Sequence, residues 1–209
     1  MKSFKYFLAF SLIFLLTSSI FAQTTVMIGP RLTGNFNIYN QKGLTGTYNG
    51  LGLGVGGTVD VTFGKTIGLM VNLTAFDMRN FSNSQTQNQT TTEQSLSLSY
   101  LTIDPMFKAE FSGFYMVGGP SLGIKLNSSG ETTQTTTGQA PVVQPANLDT
   151  KSIRFDFAVG TGYSFKLSPD MVLGTDFMAY IPITDTYNFP GVSNSIFTLK
   201  LGASLKFRI

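Results

Sequence analysis

The sequence contains no cysteine, no histidine and no tryptophan. Without cysteine there can be no disulfide, no thiolate metal site and no thiol for lipid attachment. Without histidine there is no Ser-His or Cys-His nucleophilic pair and no imidazole metal ligand. Acid–base chemistry would fall to carboxylates alone. The reading is of a protein that is not an enzyme and carries no cofactor or metal. Charge is also scarce, at 12% of residues, about half the usual ~25% of globular domains. Lys2 and Lys5 belong to an N-terminal segment set apart below; without them, 12 basic residues face 11 acidic ones. That near-neutral balance, with no basic run, excludes a nucleic-acid partner.

Long apolar runs are confined to the N-terminus. Lys2 and Lys5 precede an apolar stretch from Phe7 to Leu16, then Thr17, Ser18 and Ser19, then Ala22-Gln23. This is the pattern of a secretory leader cut after Ala22, although Ile20 stands where a small residue is usual. We expect residues 1–22 to be a signal peptide and 23–209 a single domain. In that domain no apolar segment reaches the ~18 residues that mark a membrane helix.

What the domain does have is glycine, 22 residues in the whole chain, abundant phenylalanine, and a hydropathy period of two. In the stretch Tyr100 to Leu126, YLTIDPMFKAEFSGFYMVGGPSLGIKL, the apolar positions are Leu101, Ile103, Pro105, Phe107, Ala109 and Phe111. Polar Thr102, Asp104, Lys108 and Glu110 lie between them. Ser112-Gly113 turns the chain, and Phe114, Met116, Gly118, Pro120, Leu122, Ile124 and Leu126 resume the alternation. Alternation of this kind marks strands with one apolar and one polar face. Both runs exceed the typical soluble strand of about 5–6 residues and suit the about 9–11 residues that a tilted strand needs to cross a bilayer.

The same pattern recurs along 26–38, 51–63, 67–76, 152–167, 171–181 and 195–209, giving eight strands. The phase blurs near Asp77, as at a bulge. The connections alternate between short turns (Gly64-Lys65, Ser112-Gly113, Ser168-Pro169-Asp170) and long polar stretches (39–50, 82–94, 127–150, 183–194). Short periplasmic turns and long external loops are the habit of bacterial barrels. The two longest stretches, 82–94 and 127–150, hold few apolar residues and read as irregular mobile loops. Phe63, Phe111, Phe114, Phe165 and Phe207 read as an aromatic girdle at one water boundary, and Phe36, Tyr39, Tyr100, Tyr180 and Phe197 at the other. The fold class expected is therefore all-β: an eight-stranded antiparallel up-and-down transmembrane β-barrel. An unpaired edge is costly in lipid, so the last strand is expected to close against the first.

The hairpin Tyr100–Leu126 resembles the PorT-like outer-membrane β-barrel family. Tyr100-Leu101, Ile103, Pro105, Lys108, Gly119-Pro120 and Gly123 carry the resemblance, with Asp104 between Ile103 and Pro105 as a departure. The strand SIRFDFAVGTGYSF and the ending FTLKLGASLKF look like that family's later strands. The resemblance implies an outer-membrane barrel in contact with outer-membrane lipid. The apolar end, Phe207 with Ile209, resembles the terminal signal read by the barrel-assembly machinery, the partner expected during biogenesis. The family resemblance leaves the activity open, since members differ and some are linked to protein secretion, which makes a secretion partner one alternative. The Ser/Thr/Gln-rich loops allow a surface ligand, and a passive pore or transporter for small solutes is the other class.

Two further patterns need weighing. Gly52 to Gly57, GLGVGG, has the spacing of a dinucleotide-binding loop, but it lies inside an alternating strand with no helix to follow, so small residues for close approach are the better reading. The strand phases also point Arg31, Asp60, Asp104, Lys108, Arg154, Asp156, Asp176 and Lys200 inward. The lumen of an eight-stranded barrel is just wide enough for side chains to fill. Charges of mixed sign there imply a paired network, with Arg31 expected beside Asp60 and Lys200 beside Asp176.

Overall fold

The computed structural model describes residues 24–43, 48–146, 149–188 and 191–209. The segment expected as a leader lies outside the described residues. Period-two alternation gives β-strands throughout: β1 Thr24–Gln41, β2 Tyr48–Phe63, β3 Ile67–Gln87, β4 Thr90–Phe111, β5 Phe114–Thr136, β6 Val142–Pro145, β7 Ile153–Ser168, β8 Met171–Pro182 and β9 Asn194–Arg208. Eight of them form a closed antiparallel ring in the order β1-β2-β3-β4-β5-β7-β8-β9, shut by β9 against β1 with Asn35 opposite Lys200. β6 stands outside the ring and pairs with the upper part of β5, Glu131 to Gln134.

The barrel is inside-out with respect to a soluble protein. Phe107 is 74% exposed and Leu51 73%, whereas Asp77, Arg79, Asp104 and Lys200 are fully buried. In water both arrangements would be unfavourable; around a bilayer each is satisfied, because lipid covers the outward side chains and the ring pairs every spanning strand.

Lys65, Ser112-Gly113 and Pro169-Asp170 make the three tight turns at one end. Ser112 and Gly113 have φ of 52° and 90°, the left-handed pair of a two-residue hairpin whose twist matches the flanking strands. The opposite end departs from expectation. The polar tracts around 82–94 and 127–136 are strand, not irregular loop. β3, β4 and β5 run 21, 22 and 23 residues, against 12 for β8. At about 3.3 Å per residue, β4 is about twice as long as a bilayer crossing requires. The excess forms a paired blade above the ring. Threonine, a good strand former, bonds across it, Thr86 to Thr91 and Thr90 to Thr136, each at 3.0 Å.

A bulge interrupts β3. Pairing with β4 slips between Thr74 and Asp77, and Phe76 takes φ 56° while pointing outward. Below it the even residues Met70, Asn72 and Thr74 face the lumen; above it the odd residues Asp77, Arg79 and Phe81 do. One extra residue thus inverts the phase of the strand.

Candidate functional site: the charged lumen and its two mouths

All eight sequence-derived lumen charges are buried, each 5% exposed or less. Their partners differ from those expected. Asp60 bonds Lys108 at 2.8 and 2.7 Å and Lys206 at 2.5 Å, near the turn end. Lys108 also meets Glu110 at 2.6 Å. Arg31 does not reach Asp60; it makes a two-pronged bond to Asp176, Nη2 to Oδ1 at 2.7 Å and Nη1 to Oδ2. Register explains the correction. Arg31 lies opposite Gly56, while Asp60 lies opposite Met27, four residues or about 13 Å along the strand. Barrel strands are staggered, so equal counts from strand ends do not give equal heights.

On its way to β8 the Arg31 guanidinium crosses β9 at Gly202, which is paired with Asp176. A Cβ on Gly202 would lie 2.2 Å from Arg31 Nη2. The missing side chain is what lets an arginine on β1 bond an aspartate two strands away.

The centre of the network is Asp77, which sequence reading left out. Arg79 donates to it through Nε at 3.1 Å and Nη2 at 2.7 Å, Asn35 at 2.7 Å and Thr102 at 2.9 Å. Lys200 sits 3.1 Å away, in place of the expected pairing with Asp176. One carboxylate thus gathers donors from β1, β3 and β4 and the ammonium of Lys200 from β9. Charge-assisted bonds of this kind are the strong ones, and a buried carboxylate with several donors satisfies the solvation it has lost. Arg154 pairs with Asp156 on its own strand and lies over Tyr100, 5.3 Å from the ring centre. Asp104 stands apart: among the described residues it has no ion pair and accepts a bond from the Tyr180 hydroxyl at 2.8 Å.

Two tyrosine rings tie the charges to the apolar filling. Lys200 and Arg79 lie 4.3 and 5.3 Å from the Tyr180 ring centre, and Lys108 and Lys206 lie 5.5 and 5.7 Å from that of Tyr115, within cation–π range. Met70, Met106, Val117, Ala158 and Met178 pack between them. Tyr39, Tyr100 and Tyr180 are therefore not part of the outer girdle; all three are buried in the lumen.

The two mouths differ. At the blade end Tyr39 stacks on Phe81 at 5.0 Å and meets Tyr48 and Tyr187 edge-on at 6.0 and 5.6 Å. Leu98 and Ile196 complete this plug. Tyr187 comes from the β8–β9 connection. The Asn194 side chain holds it in place by accepting from the backbone N–H of Thr186 at 3.0 Å and of Tyr187 at 2.7 Å. Burial, with Tyr39 adjacent, pushes the Tyr187 hydroxyl above the usual tyrosine pKa, so it stays neutral through the physiological range. At the turn end the lumen opens into a cavity of about 920 Å³.

Residues 21–188 match the family model described as outer membrane protein beta-barrel domain. The chain belongs to that family. It is an outer-membrane β-barrel of the bacterial outer membrane, with its apolar band against lipid; bacterial barrels as a class set their short turns in the periplasm and their longer extensions outside. No curated protein matches it. Among solved structures it is similar to Ail, the attachment invasion locus protein of Yersinia pestis, in complex with the heparin analogue sucrose octasulfate. That likeness is 12% identical over 87% of this chain and 99% of Ail, with a TM-score of 0.40. It is also similar to OprG from Pseudomonas aeruginosa, 11% identical over 89% of this chain and 95% of that one, at 0.40. Neisserial surface protein A is 11% identical over 87% and 97%, at 0.39.

Proposed function

We propose that this outer-membrane β-barrel is a sealed anchor that holds an external β-blade out from the membrane for contact with a surface partner. The observation that carries the reading is the filling of the lumen at successive heights, by Asp60, Arg31–Asp176, the Asp77 cluster and the Tyr39–Tyr187 plug. A passive solute pore would need a continuous wet path, and this series of paired charges and stacked rings opposes one. The blade supports the partner-binding half of the reading. Its outward face carries Ser82, Ser84, Thr91, Glu93 and Thr133, a hydrogen-bonding surface with exposed Val143 beside Thr133. The absence of histidine from the sequence favours a role without catalysis. Residues 1–22 fit the same reading as a secretory leader, the barrel-assembly machinery as the partner in biogenesis, and the Tyr100–Leu126 hairpin as a PorT-like feature.

The test is planar-bilayer recording of the refolded protein. The expected result is no stable conductance step. Long-lived open channels from the wild-type chain would overturn the sealed-anchor reading.

A further inference from the structure

The cavity at the periplasmic mouth has a chemistry that the sealed-anchor role does not use. Its lining includes five cationic side chains, Lys65, Lys108, Lys166, Lys206 and Arg208, against two carboxylates, Asp60 and Glu110. It is closed at its inner end by the filled lumen and open at the turns. A blind recess whose lining carries an excess of one sign of charge focuses its potential and concentrates counter-ions. The cavity's size, about 920 Å³, falls in the range of small-ligand pockets.

The cations divide into a floor and a rim. On the floor, Lys108 is engaged by Asp60 and Glu110. Among the described residues Lys206 has one hydrogen bond, to Asp60, although an ammonium carries three donors. On the rim, Lys65 and Lys166 are exposed on the β2–β3 turn and at the end of strand β7, and neither has an ion pair among the described residues. Arg208 has a loose contact with the exposed Asp170 at 3.8 Å. The outward-facing Tyr163 and Phe165, 41% and 47% exposed, stand at the same height. Aromatic rings of that kind mark the headgroup level of the membrane.

We propose that the periplasmic mouth binds a phosphoryl group, with Lys65 and Lys166 capturing it at the rim and Lys206 donating to it from the floor. Lysine binds phosphate as a point charge, and a rim at headgroup height is open to two sources of that chemistry. One is a phosphate or phosphate ester dissolved in the periplasm. The other is the headgroup of an inner-leaflet phospholipid.

The experiment uses the full refolded chain and two probes. Inorganic phosphate is titrated against protein in zwitterionic micelles and followed by 31P NMR. Retained phosphatidylglycerol is counted by native mass spectrometry after reconstitution in bilayers of phosphatidylglycerol and phosphatidylcholine. The K65Q/K166Q double variant touches no lumen ion pair, so it tests the rim without threatening the fold; K206Q tests the floor, and K42Q, at the opposite end, is the control. Wild type and K42Q should bind alike. At about fivefold per lysine lost near an anionic group, the double variant should weaken binding about thirtyfold. K206Q should weaken it as well, and raised salt should weaken the rim contribution. Saturable phosphate binding lost in the double variant identifies a dissolved anion. Phosphatidylglycerol retention lost in the double variant, with phosphate indifferent, identifies a headgroup. Failure of both probes to bind the wild type, or binding by K65Q/K166Q equal to wild type, overturns the proposal.

Discussion

The two mouths of the barrel are closed and left open by different physics. The outer one is shut by ring stacking: Tyr39 on Phe81, with Tyr48 and Tyr187 edge-on. The periplasmic one stays open, and its wall is ionic, with Asp60 shared by Lys108 and Lys206. Apolar closure needs no partner geometry beyond contact, so a connecting segment can supply it, as Tyr187 does. Ionic closure depends on every charge having its counterpart, so it is built from strands. Between the two mouths the charges are also strand-borne, and those around Asp77 are fully buried. This division says which replacements should matter most.

The largest effect is expected at Asp77. Asp77→Ala strands Arg79 and Lys200 in a dry interior and should cost about 3–5 kcal/mol. Asp60→Ala should cost less, about 1–3 kcal/mol, because Lys108 keeps Glu110 and the cavity admits water to Lys206. Urea unfolding of both variants in micelles, followed by circular dichroism since the chain lacks tryptophan, measures the difference. Equal losses would mean that the periplasmic end is as dry as the middle, and the contrast between them would fall.

Tyr187→Leu keeps most of the apolar filling and loses the edge-on ring pair, so it should cost about 1 kcal/mol. Bilayer recordings should stay silent, because Arg31–Asp176 and the Asp77 cluster still fill the barrel below. Channel openings in this variant would assign the seal to the plug alone.

The smallest effect lies at the tip of the blade. Asn88 and Gln89 turn it with φ of 47° and 66°, and a non-glycine residue is strained there by roughly 1–2 kcal/mol. Gln89→Gly should therefore slow amide exchange at Thr86 and Thr91 by up to about tenfold, with no change in the ring below. Faster exchange would show that flexibility gained in the open state outweighs the relief of strain.

How far the sequence carried this description depends on where the period of two runs unbroken. The outward faces of β1, β2, β4, β7 and β9 could be read residue by residue, and with them the closed ring. The centre of the lumen could not, because the bulge at Phe76 reverses the phase of β3 and turns Asp77 and Arg79 inward. Tyr180 is a different case. It shares the even phase of Asp176, so its inward direction was legible, and its place near a water boundary suggested a girdle instead. Lys206 likewise shares the phase of Lys200; its position close to the strand end hid its role. The pairing of Arg31 with Asp176 depends on strand stagger and on the gap at Gly202, which no single strand displays. The blade was missed because serine, threonine and glutamine do not alternate in hydropathy, so paired strands of these residues look like loop.

The bulge at Phe76 also sets a rule for how such a chain can vary. The lumen is read in a frame of two, and β3 changes frame once. Beyond Phe81, residues can be added to or removed from β3, β4 and β5 in matched pairs, and every ion pair below keeps its direction. A change of one residue between Thr74 and Asp77 would turn Asp77 and Arg79 out to lipid and a phenylalanine into their place. Evolution or a designer may therefore lengthen, shorten or replace the blade freely in even steps, while the bulge itself is held to a single length.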